Sequence, residues 1–184
     1  MSVGGLLRSS YLLYFSQPAA DRTLLKGIKG QPIRSIVELG IGPAGRTEKV
    51  LEVAGWQSTS QPLRYTAIDL FEARPTGQPP LSLKQAFGNL RKTGAKVQLV
   101  PGDPLAALLR VANSLAGTDL LIVSSGHDPD LLRPAWKFVP RMVHPKTLVF
   151  LEESTGGKLA WRQLTPSDIE RLAAGAGRLL RRAA

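Results

Sequence analysis

The chain has 184 residues, with 24 Lys+Arg against 14 Asp+Glu and a formal net charge of +10. At roughly 150 residues per domain this is one domain, and 43% hydrophobic residues supply enough core to exclude wholesale disorder. The lack of cysteine excludes a disulfide framework, a thiolate metal site and a cysteine nucleophile, and two histidines are too few for a histidine-rich metal cage, so no metal is expected.

Residues 6–26 read as a leading helical segment interrupted near Pro18, so residues 1–30 are expected to precede a single domain of residues 31–184. The apolar run 11–15 is too short for a signal h-region and lacks a basic n-region. No run approaches the roughly 18 apolar residues that span a bilayer, so a cytoplasmic protein without a membrane partner is expected. Five short apolar runs follow, at 35–39, 64–68, 96–100, 119–123 and 147–151. They are mostly apolar on both faces, as buried parallel strands are.

Helical periods lie between the runs, at 46–56, 82–92, 104–115 and 131–139. Ser82 is placed as an N-cap, with Leu83, Phe87 and Leu90 on one face and Gly94 past the end. Asp103 stands before Pro104 at another helix start, and Pro140 is expected to end or kink the fourth period. The Pro- and Gly-rich loop 73–80 is expected to be the least ordered internal segment. Beyond the fifth run come a weak strand at 159–164 and a helix capped by Thr165, with Pro166 next and Asp168 in its first turn. Ile169, Leu172, Ala173, Ala176 and Leu180 form its apolar stripe. Strand–helix alternation of this kind argues for an α/β fold, a mostly parallel sheet with right-handed crossovers.

In an open α/β sheet, ligands bind beyond the carboxyl ends of the strands. The first run is followed by Glu38-Leu-Gly40-Ile-Gly42-Pro-Ala-Gly45, a glycine turn opening a helix, in which the backbone bends sharply and a ligand can approach it closely. The same turn without a ligand is the alternative. Glu38 lies at a buried strand end, where an unpaired carboxylate is costly, so it requires a partner, either a ligand or backbone N–H groups of the turn. Asp69 ends the second run and suits a ribose diol, Leu70 and Phe71 are placed to flank an adenine or to join the core, and Asp103 is an adenine-site candidate or a plain helix cap.

Taken in order, Glu38-Leu-Gly-Ile-Gly, Ala67-Ile-Asp69, Val100-Pro-Gly-Asp103, Asp119-Leu-Leu-Ile-Val-Ser-Ser-Gly-His127 and His144-Pro-Lys-Thr-Leu-Val-Phe-Leu-Glu-Glu153 resemble the motifs of class I S-adenosylmethionine-dependent methyltransferases, over about residues 35–153. The resemblance implies a doubly wound sheet of order 3-2-1-4-5-7-6 with helices on both faces, and S-adenosylmethionine as cofactor. It implies that Glu38 with Gly40, Gly42 and Gly45 holds the methionine part, that Asp69 binds the ribose and Asp103 the adenine. It places Ser124 to His127 where substrate and methyl donor meet in small-molecule O-methyltransferases. Three departures stand out. Gly45 comes one place later than the common third glycine. Ser124-Ser125 stand where many relatives carry an acid. Only 33 residues follow Leu151, so the sheet is expected to be cut to six strands or five, order 3-2-1-4-5 with one edge strand at most.

His127 is the candidate base, against the alternative of a loop histidine, and Asp128 and Glu152 are poorer ones; His144 reads as structural. Arg133, Lys137 and Arg141, and the tail's Arg171, Arg178, Arg181 and Arg182, are candidate contacts for RNA or simply solvated faces. Two readings stand beside methyl transfer to a small-molecule acceptor. One is a catalytically inert nucleotide- or RNA-binding relative. The other is an NAD(P)-dependent dehydrogenase, which the Gly-rich turn and Asp69 suit but Glu38 does not. Seven acids, Glu38, Asp69, Glu72, Asp103, Asp128, Glu152 and Glu153, fall at or just past strand ends, and are expected to ring one crevice as an acidic mouth in a basic shell.

Overall fold

The computed structural model describes residues 7–8, 10–42, 45–56 and 61–182, with the side chains of 155 and 179–182 excepted. Leu6, Pro43 and Ala44, and the side chains of Leu180, Arg181 and Arg182, on which several expectations bear, lie outside the described residues.

A short π-helical turn at Tyr11–Phe15 leads into α1, Asp21–Ile28. Then come β1 Ser35–Leu39, α2 Arg46–Gly55, β2 Arg64–Asp69, α3 Leu83–Arg91, β3 Lys96–Pro101, α4 Pro104–Val111 and β4 Thr118–Val123. They are followed by α5 Pro129–Ala135, the short α6 Val139–Met142, β5 Val143–Thr155, β6 Lys158–Gln163 and α7 Pro166–Arg182. The sheet order is 3-2-1-4-5-6, parallel except for the antiparallel β5–β6 pair. The edge position beside β5 is thus filled by a hairpin strand. Gly156 and Gly157, both at positive φ, make its turn, which two L side chains would strain.

Buried β1, β2 and β4 form the middle of the sheet, and one core lies on each face. On one face Leu24, Leu25 and Ile28 of α1 and Val50, Val53 and Ala54 of α2 pack with Ile36, Tyr65, Ile122 and Phe150. On the other Val37, Leu39, Ile68, Leu121 and Val149 meet Ala107 and Leu108 of α4, Trp136, Met142, and Ile169 and Ala176 of α7. This is the doubly wound arrangement, with six strands.

Local expectations differ in three places. Phe87 is exposed on α3, whose inner face is carried by Ala86 and Leu90, because the helix covers only the half-exposed edge strand β3. Pro140 begins the turn α6 instead of ending a helix; its missing N–H costs nothing in a first turn. The stretch 104–115 changes from α-helix to a tighter 3₁₀ turn at Ala112. Both cap expectations hold: Ser82 and Gln85 form a reciprocal capping box, and Asp168 N–H donates to Thr165 Oγ1 at 3.2 Å.

Candidate functional site

Alternation along parallel strands puts every second side chain on one face. On the face of Ile36, Tyr65, Ile122 and Phe150, the positions nearer the carboxyl ends include Glu38, Asp69 (the position after Ala67 on that face), Ser124 and Glu152. The register that pairs Glu38 with Ala67 and Ile122 brings these ends together.

Glu38 is fully buried, and its partners are side chains. Its Oε2 accepts from Tyr65 Oη at 2.6 Å and from Thr47 Oγ1 at 2.8 Å. Its Oε1 faces Arg46 Nη2 at 3.1 Å, while Arg46 Nη1 lies 3.3 Å from Glu152 Oε1. Arg46 Nη2 also donates to Ser124 Oγ at 2.5 Å, and the guanidinium sits 5.0 Å from the Trp161 ring centroid. Burial would lower the Arg46 pKa, but Glu38 and Glu152 outweigh it and raise it. Burial and the Glu38 charge together push the Tyr65 hydroxyl well up, so it stays a donor. Asp21 lies in the same region; its Oδ1 accepts from Trp161 Nε1 at 3.1 Å, and burial raises its pKa.

The Gly-rich turn is used in an unexpected way. A Cβ at Gly42 would lie 2.0 Å from Arg46 Cζ, so the close approach that glycine permits is made by this chain's own guanidinium. A Cβ at Gly40, whose φ is +79°, would lie 2.7 Å from His127 Nε2. Gly45, at φ +87°, precedes α2, and a Cβ there would meet nothing within 4 Å among the described residues.

Asp69 is held just as firmly. It accepts Arg74 Nε at 2.8 Å and Nη2 at 2.7 Å, Phe71 N–H at 2.8 Å and Ile41 N–H at 2.8 Å. Burial alone would raise its carboxyl, but these bonds hold it below the usual range. Arg74 also donates to Ile41 O and Pro79 O, and Gln78 Nε2 donates to Gly126 O at 2.8 Å, so the loop 73–80 is tied across the crevice. Beneath it lies a cavity of about 340 Å³ lined by Gly40, Gly42, Asp69, Leu70, Leu81, Ala86, Asn89, Leu90, Ser124 and His127, with Arg46 and Glu152 at one end.

His127 lines this cavity, and its Nε2 is buried with no hydrogen-bond partner among the described residues. Burial lowers its pKa, against the opposing pull of a hydrogen bond to the Leu39 backbone and of the Asp69 charge. His144 joins Asp119 at 3.0 Å beside Ser35, at the opposite ends of the strands, in keeping with a structural role.

Several expected site residues fall elsewhere. Phe71 is buried and does not line the cavity; its φ of +49° turns its N–H onto Asp69. Asp103 does not line it either: its side chain accepts Ala106 N–H at 2.9 Å and caps α4. The acidic mouth is not formed. Glu72 accepts Leu83 N–H, Asp128 caps α5, and Glu153 pairs with Arg162 on β6. Of the seven, only Asp69 and Glu152 line the cavity, with Glu38 buried behind Arg46, and each of these three meets an arginine; Glu48 of α2 lines the cavity as well. Arg46 and Arg74 were not legible as site residues. The expected partners of Glu38, a ligand or the turn's N–H groups, are replaced by the side chains of Arg46, Thr47 and Tyr65; the parity of Glu152 with Phe150 is the signal that could have placed its carboxylate beside Glu38.

No family model matches the chain, and no curated protein matches it in sequence. Solved structures do match. The O-methyltransferase TomG from Streptomyces achromogenes, involved in tomaymycin synthesis and solved with S-adenosylmethionine, aligns with 83% of this chain and 66% of its own at 14% identity and a TM-score of 0.52. The chain has a class I methyltransferase fold. A TehB-like S-adenosylmethionine-dependent methyltransferase from Corynebacterium glutamicum aligns with 94% of this chain and 80% of its own, at 12% identity and TM-score 0.53. CalS11, a TDP-rhamnose 3'-O-methyltransferase of calicheamicin biosynthesis, aligns over 83% and 70%, at 18% identity and TM-score 0.50. The chain spans just under two thirds of the length of TomG and more of the other two. Among the described residues no helix is long and apolar enough to cross a membrane.

Proposed function

We propose that this crevice binds S-adenosylmethionine and that the chain transfers its methyl group to a small-molecule acceptor carrying a hydroxyl. The observation that carries the reading is the buried His127 Nε2, without a partner in a cavity lined by Gly40, Gly42 and Asp69 at the strand ends of this fold. The residues fit the group: Asp69 would take the ribose hydroxyls in exchange for Arg74, Leu70, Leu81, Ala86 and Leu90 give an apolar wall for a base, and the carboxylates Glu38 and Glu152 suit the ammonium of its tail. When bound, S-adenosylmethionine supplies a methyl group already activated on a sulfonium.

This chain's own residues then have three tasks. The loop 73–80, pinned by Arg74 and Gln78, keeps water from the crevice. The glycine turn and Asp69 orient the ligand. His127, kept neutral by burial, takes the proton of the acceptor hydroxyl at Nε2. The O-methyltransferases TomG and CalS11 among the similar folds support oxygen as the acceptor atom.

Calorimetry tests the reading. S-adenosylmethionine and S-adenosylhomocysteine are expected to bind in the micromolar range and NADH not at all, with binding lost in Asp69→Ala. No heat from either adenosyl ligand up to millimolar concentration overturns it. A second reading, ligand binding without turnover, is favoured by one observation: the strand carboxylates Glu38, Asp69 and Glu152 each already have an arginine. Binding without methyl transfer to any member of a broad hydroxyl-acceptor panel would select it. RNA contact through the exposed Arg133, Arg141, Arg171 and Arg178 is a separate proposal, tested by salt-dependent retention.

A further inference from the structure

Glu38 and Glu152 are built alike. Each gives one oxygen to donors of the scaffold: Glu38 Oε2 to Tyr65 and Thr47, Glu152 Oε2 to the Ser125 N–H and Oγ, both at 3.1 Å. Each turns the other oxygen, Oε1, toward the same point, where Ser124 Oγ and Gly40 O also converge. The Trp161 ring covers that point. This is a seat for one cation, and its walls are held in place without help from whatever occupies it.

The occupant, Arg46, fits the seat poorly. Its contacts to the two carboxylates are 3.1 and 3.3 Å, long for charge-assisted bonds of 2.7–2.9 Å. Its buried Nε has no partner among the described residues. Its guanidinium is pressed onto Gly42. It is the first residue of α2, directly after Gly45, where a Cβ would meet nothing within 4 Å among the described residues, so rotation of its side chain alone, with the backbone held by the helix start, would clear the seat.

We propose that Arg46 is an internal plug. In the ligand-free fold it fills a seat built for the cationic end of a ligand, an ammonium, and a ligand binds by displacing it. The inference rests on the proposed adenosyl site but concerns the control of that site: measured affinity is the intrinsic affinity reduced by the fraction of molecules with an empty seat.

The test compares wild type with Arg46→Met, and with the neutral Arg46→Gln should the first not fold. Probes are S-adenosylmethionine, S-adenosylhomocysteine, adenosine as the analogue without a cation, and methylguanidinium, the last read by thermal unfolding. If the plug holds the seat about nine tenths of the time, removing it raises affinity for both charged adenosyl ligands about tenfold and leaves adenosine unchanged. Methylguanidinium at millimolar concentration raises the melting temperature of Arg46→Met but not of wild type. Unchanged adenosyl affinity in a folded Arg46 variant overturns the plug while leaving the proposed function standing, and so does an equal gain for adenosine. If neither protein binds an adenosyl ligand but methylguanidinium still stabilises Arg46→Met, the seat stands and the adenosyl reading falls.

Discussion

The two ends of the crevice each pair an arginine with a carboxylate, and they do it differently. At the rim, Arg74 grips both oxygens of Asp69 at 2.7 and 2.8 Å. At the buried end, Arg46 is shared between carboxylates on β1 and at the end of β5, at 3.1 and 3.3 Å. The rim pair is the better bidentate pair because Arg74 belongs to a loop that can adjust to its partner. Arg46 is fixed at a helix start, and the sheet fixes the separation of Glu38 and Glu152, so one guanidinium cannot serve either in full. A rigid scaffold sets a cation site's shape before it sets the fit of any one cation.

The largest effect follows from the buried end. Glu38→Ala leaves Arg46 with one carboxylate and strands the hydroxyls of Tyr65 and Thr47; breaking such a pair is expected to cost about 3–5 kcal/mol in urea unfolding. Arg74→Ala removes hydrogen bonds to a charged group at a partly open site, and about 1.5–3 kcal/mol is expected. An Arg74→Ala loss equal to that of Glu38→Ala would erase the distinction between the two ends. A smaller effect is expected of Asp103→Ala, about 1 kcal/mol for a lost helix cap, with adenosyl affinity unchanged. A tenfold loss of that affinity by calorimetry would return Asp103 to the ligand.

What could be read in the sequence follows the same division. The strands, the strand-end places of Glu38 and Asp69, the glycine turn and the crevice position depend on period and local chemistry, and they were legible. Arg46 and Arg74 were not, because the choice of partner for a buried carboxylate is made in three dimensions among many basic residues. The acidic mouth failed for a related reason. Asp103, Asp128 and Glu72 each stand near a helix start, where backbone N–H groups compete with a ligand for the carboxylate and win locally. Phe87 misled because periodicity names a face without saying how much sheet lies under it.

His127 offers the finest probe of the rim pair. Burial holds its pKa below the ordinary 6.5, Asp69 pulls it up and Arg74 pushes it down. The folded state therefore disfavours the imidazolium, while the unfolded chain takes a proton below about pH 6.5. The unfolded state then binds more protons, so His127 adds a stability that is full above that pH and is lost as pH falls toward its folded pKa. His127→Gln should flatten the slope of unfolding free energy against pH in that window; an unchanged slope would sink this assignment. Arg74→Ala sharpens it further. Without the guanidinium, the Asp69 charge is unbalanced and the His127 pKa should rise, read directly from the imidazole carbon-bound proton shifts by NMR. A fall, or no movement, would mean that the rim pair does not set the charge state of His127, and that its neutrality comes from burial alone.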